Sequence, residues 1–181
     1  MDTAEIDDCQ MKTDDQNQIF VERTMTKLLP FPLHQAGDAA WRRLTPGRLD
    51  LSNGYYVRRA TARCDGRGAG RRQRTPGERD VIVWQIRAGL NGQALTDHSV
   101  GMMDYGYLLV EPVKSASGVP SCILKACVRI WPQLAQSELD RFGLFVDLTL
   151  SSFNQNTKTV LQMIENDLLE QSLLSPSVAN V

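Results

Sequence analysis

Arginine is the residue type here whose number and spacing could do chemistry. Fifteen arginines stand against five lysines. Eight of the fifteen fall in one stretch: Arg58, Arg59, Arg63, Arg67, Arg71, Arg72, Arg74 and Arg79, with Gly66, Gly68, Gly70 and Gly77 between them. Only Asp65 and Glu78 oppose them, which leaves the stretch at +6. The planar guanidinium grips phosphate or carboxylate through paired N–H donors. So much charge with so little apolar content predicts a solvated loop over residues 63–79. Arg63, Arg67, Arg71, Arg72 and Arg74 are the expected polyanion contacts, to nucleoprotein or RNA or to an anionic membrane surface, weakened by salt. Arg58 and Arg59, followed after a spacer by Arg71, Arg72 and Arg74, also have the layout of a bipartite nuclear import signal, which would make importin a partner.

Other constellations fail on spacing. Adjacent residues of an extended chain point to opposite sides, so Asp97-His98-Ser99 cannot align as a relay. Gly66-Arg67-Gly68-Ala69-Gly70 lacks the apolar helix that a dinucleotide loop requires, and Pro76 blocks one. Cys9, Cys64, Cys122 and Cys127 form no Cys-x-x-Cys pair, and His34 and His98 lie near none of them. No metal, cofactor or catalytic residue is expected. Carboxylates are scattered, with no pair placed for acid/base work. The N-terminus is acidic rather than basic and then apolar, so no signal peptide is read, and no run approaches the roughly 20 apolar residues of a membrane helix. These features predict reduced cysteines and a location in cytoplasm or nucleus. Tyr55, Tyr56 and Trp84 flank the arginines, where aromatics either stack on bases or make cross-strand contacts.

The elements that must position these groups read as α+β. Residues 1–22 carry one lysine against seven acids, a net −6, and residues 1–18 read as a disordered acidic arm able to fold over the arginine loop. Residues 19–174 form the single domain. Pro30 and Pro32 keep its first segment extended, and Asp38 is placed to cap a short turn through Trp41 and Leu44. Strands are expected over 54–62, 81–88, 105–113, 121–131 and 144–153, from alternations such as Cys122, Leu124, Ala126, Val128, Ile130 against Lys125 and Arg129. That gives a mainly antiparallel sheet of about five strands with one face covered. Pro132 and residues 137–140 suggest helical turns. A helix capped by Asn156 or Thr157, with its stripe Val160, Leu161, Ile164, Leu168, Leu169, packs on the open face and ends before Pro176. Residues 175–181 form a flexible tail.

The unstructured arm, the one compact domain, and alternating strands ending at Arg141-Phe142-Gly143-Leu144-Phe145-Val146 make the layout resemble that of matrix proteins of negative-strand RNA viruses, particularly plant rhabdoviruses. The Pro-Pro-x-Tyr motif of animal members is absent, and no family residue is carried over. The resemblance implies a non-enzymatic structural protein of the virion that self-associates and binds ribonucleoprotein in host nucleus or cytoplasm. A regulatory adaptor whose basic loop serves only nuclear import is the alternative.

Overall fold

The computed structural model describes residues 5–44, 49–51, 55–59, 66–89, 101–114, 118–133 and 142–174. The elements are β1 (Glu5–Thr13), β2 (Ile19–Leu29), α1 (Leu33–Leu44), β3 (Leu49–Leu51), β4 (Tyr55–Arg59), β5 (Gly66–Thr75), β6 (Arg79–Gly89), β7 (Gly101–Val113), β8 (Ser121–Gln133) and α2 (Phe142–Leu174). The strands form one eight-stranded antiparallel sheet in the order β1-β2-β8-β7-β6-β5-β4-β3. β3 to β8 run as a meander, and β2 joins its end by pairing Val21 with Ile130 and Leu29 with Cys122.

Alternation decides which face each residue serves. On the inner face Met25, Leu29, Ile82, Leu108, Val110, Leu124 and Ala126 are buried. They meet Ala36, Ala39 and Ala40 of α1 and Leu161, Ile164 and Leu168 of α2 in one core. Of the expected apolar stripe Leu161, Ile164 and Leu168 pack in this core, each contributing about 1.5–3 kcal/mol by leaving water, with Val160 against them, whereas Leu169 is exposed. Pro30 and Pro32 break the chain after β2, and the Pro32 carbonyl accepts the Ala36 N–H at 3.1 Å in the first turn of α1. Ion pairs tie the layers together: Lys27 of β2 to Glu165 of α2 at 2.9 Å, and Arg42 and Arg43 of α1 to Asp167 of α2 at 3.0 and 2.6 Å.

Several sequence expectations are corrected. Residues 5–13 of the acidic arm are strand β1, not disordered. Cross-strand partners compensate its charges: Asp7 meets Arg23, and Lys12 meets Glu22. The connecting turn is held by Asp14 Oδ1, which accepts from the Gln16 and Gln18 N–H groups at 2.9 and 2.8 Å, with Asn17 in the left-handed region at φ 58°. Residues 144–153 are helix, not strand. No Gly or Pro interrupts the chain between Leu144 and Ser175, so the helix begun by the C-terminal stripe propagates back to Phe142, and Asn156 and Thr157 lie inside it. Asp38 lies in the middle of α1 and does not cap it. The basic loop is mostly strand β5; with β1, β2 and β3 it joins the four expected strands that hold, and the count is eight. Pro132 lies in β8; residues 134–141 and 175–181 are outside the described residues.

Candidate functional site

The expected arginine site divides between the two faces of β5. Inner positions are Gly66, Gly68, Gly70, Arg72 and Arg74; outer positions are Arg67, Ala69, Arg71 and Gln73. Arg72 and Arg74 are engaged within the fold. Arg72 Nη2 reaches Asp80 Oδ2 at 2.6 Å and Asp38 Oδ1 at 2.8 Å. Arg74 Nη2 reaches the same two oxygens at 3.0 and 2.7 Å. Asp80 is fully buried; burial pushes its carboxyl up and Arg74 draws it back down. The Arg72 guanidinium also lies 5.9 Å from the centre of the Trp41 ring. The cluster fits only because residue 37 is glycine, where a Cβ would stand 2.1 Å from Asp80 Oδ2. These two arginines therefore clamp α1 to the sheet.

Of the other expected contacts, Arg67 and Arg71 take outer positions, and Arg63 is outside the described residues. Arg58 and Arg59 of the expected import signal are strand residues of β4, opposite Gly68 and Arg67. The acidic segment cannot fold over β5, because β1 lies at the far edge of the sheet. Arg42 and Arg43 belong to the clamp on Asp167. Asp97-His98-Ser99 is outside the described residues, and His34 is exposed on α1.

The second constellation went unread in the sequence. Under α1 the inner face is sealed, with Ile82 and Val110 at 0% exposure and Leu124 at 1%. Further along, Trp84, Ile86, Met102 and Asp104 remain partly exposed. Trp84 Nε1 donates to Asp104 Oδ1 at 3.1 Å. The indole lies against Gly106, where a Cβ would be 2.2 Å from Trp84 Cζ2. Burial pushes the Asp104 carboxyl up to about 6, against the Trp84 hydrogen bond that draws it down. The neighbouring wall on β2 and β8 is closed: Val21, Val128 and Ile130 are buried, and so is Arg23, at 2% exposure. Arg23 is bound by both Asp7 oxygens, Nε to Oδ1 at 2.7 Å and Nη2 to Oδ2 at 2.5 Å. This end of the sheet thus offers an aromatic and aliphatic surface with one carboxyl that changes charge near neutrality, beside a neutralised arginine. Such a surface can hold an apolar molecule and hydrogen-bond one polar group on it. The signal in the sequence was a charge at an inner-facing position of an apolar strand, Arg23 and Asp104 alike.

The described thiols, Cys9, Cys122 and Cys127, are poor nucleophiles, and Cys64 is outside the described residues. Burial pushes Cys122 up to about 11 and raises Cys127 and Cys9, which disfavours the thiolate. Among the described residues no group of three or more His, Cys, Asp or Glu side chains is placed to hold a metal, and no helix is long and apolar enough to cross a membrane.

No family model and no curated protein matches the chain. Among solved structures, the Mll3558 protein from Rhizobium loti aligns at a TM-score of 0.48 and 14% identity, covering 82% of this chain and 96% of that one. An uncharacterized protein from Rhizobium leguminosarum aligns at 0.47 and 10%, covering 91% and 99%. CalU16 from Micromonospora echinospora aligns at 0.35 and 10%, covering 94% and 98%. Likeness this distant assigns neither family nor function.

Proposed function

We propose that the chain is a non-enzymatic binding protein that holds an apolar or amphiphilic small molecule on the inner face of its sheet. The observation that carries this reading is the partly open set Trp84, Ile86, Met102 and Asp104 beside a sealed core. A lone carboxyl has no nucleophile or second acid/base group beside it among the described residues, so binding suits the site better than catalysis. Protonated Asp104 donates a hydrogen bond and ionised Asp104 accepts one. Above pH 6 the site therefore favours a ligand that brings an O–H or N–H to the carboxylate over one that brings its own carboxylate.

The test is thermal unfolding at pH 7.5 with long-chain alcohols, amines and carboxylates of equal chain length. A ligand at a hundred times its Kd stabilises the fold by about 2.7 kcal/mol. Alcohols or amines should raise Tm more than the matched carboxylates, and Trp84→Ala should lose the response. If no chain of any length raises Tm, the reading fails. Self-association and a matrix-like role would draw on the other face, where Arg59, Arg67, Arg71, Arg79 and Arg87 take positions.

A further inference from the structure

From the outer face, and independently of the inner site, we infer that this chain binds single-stranded nucleic acid across β4, β5, β6 and β7. The argument starts from register. The outer positions of β4, β5 and β6 hold Arg59, Arg67, Arg71, Arg79 and Arg87 and no acidic residue; the acid on these strands, Asp80, takes an inner position. Arg59, Arg67 and Arg87 stand directly opposite one another in one row across three adjacent strands. Like charges directly opposite on neighbouring strands destabilise a sheet. A fold that places three arginines in one such row suits an anion lying across it. On the same face Glu22 takes Lys12 and Arg129, and Glu111 takes Lys125. Among the described residues Arg87 is exposed and has no carboxylate partner.

The chemistry beside the arginines decides which anion. Val83, Tyr105 and Tyr107 are 42%, 41% and 44% exposed. They are large exposed side chains in the middle of the sheet, and Tyr105 also meets the Trp131 ring edge-on at 5.4 Å. Tyr105 and Tyr107 lie two residues apart on one strand, about 7 Å. Gln85 reaches the Tyr105 hydroxyl at 3.2 Å and brings amide donors and acceptors to the same patch. Tyr107 shares its row with Val83 and Arg71, and Arg87 stands one row beyond Tyr105. Aromatic rings with arginines alongside form the stacking platform and phosphate track that hold splayed, single-stranded bases. A free phosphate would use the arginines but has no need of the rings, and a lipid surface accepts tyrosines at its interface but gives them no planar base to stack on. That difference makes single-stranded nucleic acid the occupant the face fits.

The test is fluorescence anisotropy of the full chain with fluorescein-labelled dT20 and rU20 from 25 to 200 mM KCl. With about three arginines on phosphate, log K against log salt should fall with a slope of about −2. Arg67→Glu with Arg87→Glu should weaken binding at least tenfold at 50 mM salt and flatten that slope. Tyr107→Ala should weaken binding about tenfold at every salt and leave the slope unchanged. Circular dichroism melts confirm that each variant folds, and Arg87→Ala alone serves where the double variant does not. Undiminished binding by the arginine variant overturns the inference. So does binding that the arginines control and Tyr107→Ala leaves intact, as does retention on phosphatidylserine vesicles without retention of either oligonucleotide.

Discussion

Replacing Asp104 with Asn should stabilise the protein at pH 8 and leave it almost unchanged at pH 4. The side chain keeps an oxygen for the Trp84 N–H, now 3.1 Å away, and loses only its charge. Burial raises the carboxyl from 3.8 to about 6, so the folded chain keeps this proton to higher pH than the unfolded chain does. Between these values the folded state binds more protons, and the group's contribution to stability falls as pH rises. Above about pH 6 the ionised carboxylate disfavours the folded state by about 3 kcal/mol, at about 1.4 kcal/mol per pH unit. The Asp104→Asn substitution removes that penalty. Urea unfolding at pH 4, 6 and 8 should show the variant and parent within about 0.5 kcal/mol at pH 4 and separated by about 3 kcal/mol at pH 8, equivalent to about 6–12 °C in Tm. A difference that does not grow with pH, or a variant less stable at pH 8, would refute the burial argument. The same substitution should weaken binding of a donor-bearing ligand, so stability and binding would move in opposite directions.

Three further outcomes follow from the packing. Gly37→Ala, which in an ordinary helix stabilises by about 1 kcal/mol, should here destabilise by about 1–3 kcal/mol, because its Cβ would strike Asp80; chemical denaturation gives the sign. Asp7→Ala should cost about 2–3 kcal/mol by removing both charge-assisted bonds to buried Arg23, whereas Asp8→Ala on the exposed side of β1 should change stability by less than about 0.5 kcal/mol. Gly106→Ala should push the Trp84 ring off β7 and away from Asp104, seen as a shift in indole emission with loss of the pH-dependent stability term.

The sheet was legible where apolar residues alternate with polar ones. Cys122, Leu124, Ala126 and Ile130 fall inward as the period-two pattern requires, and Val160 to Leu168 make their helix. It was illegible where the inward residues are not apolar. In β5 the alternation is glycine inside and arginine or alanine outside over residues 66–71, both turn-like or charged types, so a strand read as a loop. In β1 acids occupy both faces, and only the partner strand supplies Arg23 and the Lys12 contact with Glu22 that make pairing favourable. Residues 144–153 satisfy strand and helix periods together; the decision came from the helix that follows without a breaker. The arginines could be counted in the sequence, but their roles depend on Asp80 and Asp38, which lie 6–8 and 34–36 residues from Arg72 and Arg74. Neither the Trp84–Asp104 pair nor the partly exposed residues beside it leave a motif, because β6 and β7 bring the two residues together from 20 positions apart.

The inner-face site is tested most directly by making Trp84 the sole indole, with Trp41→Phe and Trp131→Phe, and titrating the protein with a long-chain alcohol at pH 7.5. The site predicts a saturable, one-to-one blue shift of Trp84 emission that Asp104→Asn weakens. Binding detected by calorimetry with Trp84 emission unchanged would place the ligand elsewhere and contradict it.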